Sequence, residues 1–173
     1  MNTEPSQSNR PIFLMLRMKP PWVFVDEIRR FVEAFCSCAC PGESREAQVA
    51  LAVHELMQNA IPHAGGESVD LTLQVDPGAD RIEIAVSNPA TDEQFAELKG
   101  RLDRINLEPD PLQSYLRAMA EAPMNQRGGL GLARVRFEAQ LDLSITREGN
   151  RITVLAWGRL RAPLLTVPGG IHG

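Results

Sequence analysis

The spacing of apolar positions along this chain changes period several times, and each change marks an element. Residues 11–18 (P-I-F-L-M-L-R-M) form a short apolar run flanked by prolines, which predicts a strand at a sheet edge. Phe24, Ile28, Phe31, Val32 and Phe35 then recur at helical steps, predicting a first helix from Trp22 to about Phe35. Pro41-Gly42 ends that segment, and Ser44 is placed to cap a second helix from Arg45 to about Ile61. After Gly65-Gly66, Ser68 to Val75 alternates apolar and polar residues, as a half-buried strand does. Asp76-Pro77-Gly78 turns it into Arg81 to Val86, so the pair predicts a hairpin. Helical spacing returns twice before the next glycine turn. Phe95, Leu98, Leu102 and Ile105 share one face of Asp92 to Ile105. Leu112, Tyr115, Leu116 and Met119 share one face of Pro111 to Ala122, and Asp110-Pro111 is a good helix start. A helix over Leu130 to Gln140 precedes two strands, Leu141 to Thr146 and Arg151 to Trp157, joined by Glu148-Gly149-Asn150. This order predicts a two-layer α/β sandwich: one mixed, mainly antiparallel sheet with helices on one face. The expected organisation is one domain over residues 10–160, a disordered N-terminus over 1–9 and a flexible proline- and glycine-rich tail over 161–173.

Inside the second helix the pattern carries chemistry. Glu55, Asn59 and His63 stand one turn apart and form a polar stripe. The stripe borders an apolar arc of Val49, Ala52, Val53, Leu56, Met57 and Ala60. A carboxylate and an amide at the edge of a core need partners. A metal-bound phosphate is one such partner; solvent or a neighbouring loop to cap is the plainer one. Pro62 lies within the stripe, where it removes one backbone hydrogen bond and crowds the carbonyl of Gln58, at ~3 kcal/mol. The helix is therefore expected to kink or end there. A second stretch, Gln126-Arg127-Gly128-Gly129-Leu130-Gly131-Leu132, opens a helix with a glycine-rich turn. Such a turn points free backbone N–H groups at an anion.

Together, E-L-x-x-N-A-x-x-H-A from Glu55 and G-G-L-G-L from Gly128 resemble the N-box and G2-box of the GHKL superfamily. That is the ATP-binding fold of histidine kinases, gyrase, the large heat-shock chaperones, MutL and the anti-sigma-factor serine kinases. The resemblance spans roughly Pro11 to Leu160 and implies ATP and Mg²⁺ as cofactors. Asn59 then corresponds to the Mg²⁺ ligand, its amide oxygen suiting a hard cation. Glu55 corresponds to the catalytic base that activates a hydroxyl or water. His63 matches the last N-box position and is expected to meet a phosphate. Gly128, Gly129 and Gly131, with Leu130 between them, correspond to the phosphate-cradling turn, and Arg127 adds charge beside it. One motif departs from the family. Where the G1-box D-x-G-x-G belongs, this chain has Val86-Ser87-Asn88-Pro89-Ala90, so neutral Asn88 stands in for the adenine-binding carboxylate.

A stand-alone domain of this length resembles the anti-sigma serine kinases. R-L-D-R-I-N (Arg101 to Asn106) and P-L-Q-S-Y-L-R (Pro111 to Arg117) also look like the SiaB-type protein kinases. The resemblance implies a protein serine/threonine kinase in a bacterial partner-switching system. Its phospho-acceptor would be a small STAS-like or similar antagonist protein, and homodimerisation is expected. The missing G1-box supports a different expectation, a non-catalytic interaction module with Thr91 to Arg127 as its docking surface.

Composition narrows this little further. Hydrophobic residues make up 43% but aromatics only 5%, so the core must be mostly aliphatic. The net charge of −4 argues against a nucleic-acid partner. No run approaches the ~20 apolar residues of a membrane span, and Met1 to Asn9 lacks the apolar stretch of a signal peptide. A cytoplasmic protein without a membrane partner is expected. The three cysteines, Cys36, Cys38 and Cys40, are odd in number and tightly spaced, which argues against a disulfide framework. On a helix Cys36 and Cys40 share a face. Either a thiol sensor or small buried thiols at a helix end would account for them.

Overall fold

The computed structural model describes residues 10–19, 21–40, 45–121 and 130–161, with Trp22 described by its backbone only. Ser44, Arg127, Gly128, Gly129, the N-terminal residues 1–9 and residues 162–173 lie outside the described residues. Five strands form one sheet: β1 (Ile12–Met18), β2 (Val69–Asp76), β3 (Arg81–Pro89), β4 (Asp142–Glu148) and β5 (Arg151–Arg159). Their spatial order is β1-β2-β3-β5-β4. All four neighbouring pairs are antiparallel, so the mixed sheet expected from the element order has no parallel pair among the described residues. β1 takes the edge position its prolines predicted.

The helices are α1 (Val25–Ala39), α2 (Glu46–His63), α3 (Asp92–Leu107), α4 (Pro111–Glu121) and α5 (Leu130–Phe137). Alternation along the strands sends Val69, Leu71, Leu73 and Val75 of β2, Ile82, Ile84 and Val86 of β3, and Ile152, Val154 and Ala156 of β5 to one buried face. There they meet Val49, Val53, Leu56, Met57 and Ala60 of α2, and Leu132 and Val135 of α5. The result is two layers, with an aliphatic core between them. Arg45, just before α2, is 4% exposed and donates to the carbonyls of Ala139 and Arg159. It ties the start of α2 to the ends of α5 and β5, and its burial lowers the guanidinium's pKa.

Several boundaries differ from those the local pattern predicts. β3 continues past Val86 to Pro89 because Ser87, Asn88 and Pro89 pair with Thr153, Ile152 and Arg151 of β5. Pairing with β2 has already ended at Ser87, so the missing N–H of Pro89 breaks no second ladder. α2 runs through Pro62 and stops one residue later, so the proline sits in the last turn. The N–H of Ala64 closes the end by donating to Ala60 O at 3.1 Å and Ile61 O at 3.3 Å. α5 ends three residues short of Gln140, which adopts φ +52°. The chain then passes close over β5 at Gly158, where a Cβ would lie 2.8 Å from Leu141 Cδ2 and 3.0 Å from Gln140 O.

Of the expected apolar face of α4, Tyr115 packs against the core and the rest does not. Leu112, Leu116 and Met119 are 40%, 47% and 51% exposed, while Ser114 is buried. Ser114 Oγ donates to Ile105 O at 3.2 Å, and Tyr115 stacks on Phe137 with ring centroids 5.2 Å apart. These two contacts turn α4 so that its leucines face solvent.

Candidate functional site

α2 carries the site because its apolar arc anchors it over the sheet and leaves the polar stripe along one edge. Glu55 is the buried member of that stripe, 7% exposed. Its Oε1 accepts from Arg134 Nη1 of α5 at 2.5 Å. Arg134 also grips Glu138, from Nε to Oε1 at 2.9 Å and from Nη2 to Oε2 at 3.3 Å. The hydrogen bonds to Glu138, with the charge of Glu55 behind them, hold the Arg134 pKa above its ordinary value. The other Glu55 oxygen lies against Gly131, the second residue of α5. A Cβ on Gly131 would come within 2.4 Å of Glu55 Oε2. Glycine is needed there for the close approach of a carboxylate on a neighbouring helix.

One turn along, Asn59 is half-buried. Its Nδ2 donates back to Glu55 O at 2.9 Å. That leaves Oδ1 as the side chain's open ligand atom, and an oxygen is what a hard divalent cation takes. The groove beside it is lined by Asn59 and His63 of α2, Gln94, Leu98 and Arg101 of α3, and Ile152 of β5. His63, the last residue of α2, is exposed, with its Nδ1 3.2 Å from Gln94 Nε2. Gln94 is itself fixed by a capping box with Thr91, its Oε1 accepting from Thr91 N at 2.8 Å. Arg101 pairs with Glu97 one turn earlier. Asn88 lies on the same sheet face as Val86 and is 3% exposed. It pairs in register with Ile152 at the groove floor, and its Nδ2 donates to Pro89 O at 2.8 Å.

The structure sets Glu55 against Gly131 and Arg134 at the meeting of α2 with α5, the helix that Leu130 opens. It places Asn59 and His63, one and two turns further along α2, in the groove with α3, and Asn88 in register with Ile152 at that groove's floor. Arg127, Gly128 and Gly129 lie outside the described residues. Among the described residues, no three His, Cys, Asp or Glu side chains could hold a metal between them. A cation at Asn59 would therefore take most of its ligands from a bound molecule and water. The sequence pattern does not mark Arg134 or Gln94 as site residues, and it marks Arg101 only as the start of R-L-D-R-I-N. For Arg134 the sequence offers only its place three residues after Gly131 on the same helix, and not its partner on α2.

The fold has a solved relative. A chain in the crystal structure of the SiaB-SiaC complex from Pseudomonas aeruginosa is similar in fold, with a TM-score of 0.62 and 15% identity, over 83% of this chain and 88% of that one. No curated protein sequence matches. The histidine kinase-like ATPase domain matches residues 24–157, which span α1 to β5 and both halves of the site. The chain belongs to the histidine kinase-like ATPase domain family.

Proposed function

We propose that this chain is an ATP-binding protein serine/threonine kinase of the GHKL type, acting in a bacterial partner-switching system. The observation that carries this reading is the placement of Glu55 and Asn59 one turn apart on α2, with Glu55 held against the first turn of α5. Nucleotide phosphates would meet the backbone N–H groups at the start of α5, at Leu130 and Gly131, with Arg127, Gly128 and Gly129 as the preceding residues of the phosphate-binding motif. Asn59 Oδ1 would hold Mg²⁺, whose chemistry is to neutralise charge on the phosphates. Asn88 would accept from the adenine amino group, and His63 would reach the phosphates from the end of α2. Glu55 would take the proton of the attacking Ser or Thr hydroxyl, and positioning would supply most of the rate. The acceptor would be a small STAS-like antagonist of the SiaC kind; the likeness to a chain of the SiaB-SiaC complex supports that class.

Calorimetric titration with ATP and ADP, with and without Mg²⁺, tests the reading. Saturable binding that requires Mg²⁺ and weakens at least about tenfold in Asn59→Ala is expected, an interaction on the scale of one charge-assisted contact. No binding at millimolar nucleotide by a folded sample would overturn it. Such a result would favour a non-catalytic module, a reading that the solvent-facing Leu112, Leu116 and Met119 of α4 support.

A further inference from the structure

We propose that Arg134 is the positioning residue of this site, fixing the one orientation of Glu55 in which a single carboxylate oxygen is left for proton transfer. The inference rests on Glu55 being the base. A carboxylate only 7% exposed needs a partner, and the guanidinium provides it. The direction of that guanidinium is itself fixed. Glu138, just past the end of α5, takes Nε and Nη2 in a two-point grip, which leaves Nη1 to reach Glu55 Oε1. Gly131, three residues before Arg134, removes the side chain that would push Oε2 aside. Two positions of one helix therefore set both oxygens of Glu55. Oε1 is bound, and Oε2 rests against the first turn of α5, the end where an anion would be received.

A lysine could supply charge here but not the geometry. Its ammonium cannot grip Glu138 at two points and still reach Glu55 along a set direction. Arg134 would act through Glu55 and has no contact with nucleotide in this scheme. The consequence is kinetic: losing it should slow turnover and leave nucleotide affinity alone.

The test is hydrolysis of Mg·ATP, with water taking the γ-phosphoryl group and ADP released, by the full chain and its Arg134→Gln, Arg134→Lys, Glu138→Gln, Glu55→Gln and Glu55→Gln/Arg134→Gln variants. Arg134→Gln is expected to lower kcat about ten- to a hundredfold while the KM for ATP changes less than about threefold. Arg134→Lys should recover only part of the loss, and Glu138→Gln should show a smaller loss of the same kind. In the double variant the two losses should not add, because both remove one function. An unchanged kcat in Arg134→Gln, a raised KM at constant kcat, or additive losses would each overturn this inference while the kinase reading stands. Wild-type protein that binds Mg·ATP but releases no ADP would overturn this inference, since a poised Glu55 should also activate water. Wild-type protein that does not bind Mg·ATP would overturn the kinase reading itself, and the Glu55–Arg134 pair would then be structural. Should Arg134→Gln fail to fold, Arg134→Lys and Glu138→Gln carry the same comparison.

Discussion

Gly131 and Glu55 limit each other's freedom. In Gly131→Ala the new Cβ would fall 2.4 Å from Glu55 Oε2, so the carboxylate must move and its pair with Arg134 must distort. A loss of about 1–3 kcal/mol in urea unfolding is expected. Glu55→Ala beforehand should erase most of that loss, because the clash is with the carboxylate. A second residue-scale prediction concerns the thiols. Burial pushes the Cys36 thiol up to about 12, with Cys40 and Glu46 adding to it, whereas Cys38 is exposed. Thiolates react and thiols do not. Alkylation of the folded protein at pH 8, read by mass spectrometry, should modify Cys38 well before Cys36. A fast-reacting Cys36 would revive the thiol-sensor expectation. A third concerns Asp70. Arg17 donates to its carboxylate from Nε at 2.7 Å and Nη2 at 3.1 Å, and Arg151 adds a bond at 2.9 Å. The Arg17 hydrogen bonds lead in holding the Asp70 carboxyl below the usual carboxylate range. A depressed folded pKa stabilises above the unfolded value of about 4 and is lost as pH falls through the folded one. The stability gap between wild type and Asp70→Asn should therefore narrow as the pH drops below about 4, in urea titrations taken at each pH.

At the scale of elements, the groove's far wall is made by α3, and one residue of it matters most to packing. Leu102 is 1% exposed, so Leu102→Ala should cost about 2–5 kcal/mol. Leu116 of α4 has the same predicted period but is 47% exposed, so Leu116→Ser should change stability by no more than about 0.5 kcal/mol in the same urea assay. This contrast shows what the sequence discloses. Periodicity discloses α2 and the strands β2, β3 and β5 because each has one buried face along its length. It could not tell which face α4 turns inward, since that is decided by Ser114 bonding Ile105 and by Tyr115 stacking on Phe137. The end of β3 is hidden from local pattern for a similar reason. A strand lasts as long as its partner pairs with it, and that partner lies far along the chain. The polar stripe Glu55–Asn59–His63 was legible because its members are a helical turn apart. Arg134 was not, because it meets Glu55 across a gap of 79 positions that no local pattern encodes.

At the scale of the whole molecule, the order β1-β2-β3-β5-β4 places two local hairpins side by side and joins them along β3 and β5. That seam closes over about 60 intervening residues, which include all of α3, α4 and α5. Chain closure of that length is costlier than making either hairpin. The β2–β3 turn should thus form early, and the β3–β5 seam late. In pulsed hydrogen exchange during refolding, amides of Leu71 and Leu73 are expected to gain protection before those of Val154 and Ala156. Asn59 stands on α2 against the first hairpin, whereas Gln94 and Arg101 belong to the closing loop. The cleft between them should open only once that seam is made. If the proposed nucleotide binds there, newly synthesised chains would be unable to retain it until most of the sequence had emerged from the ribosome.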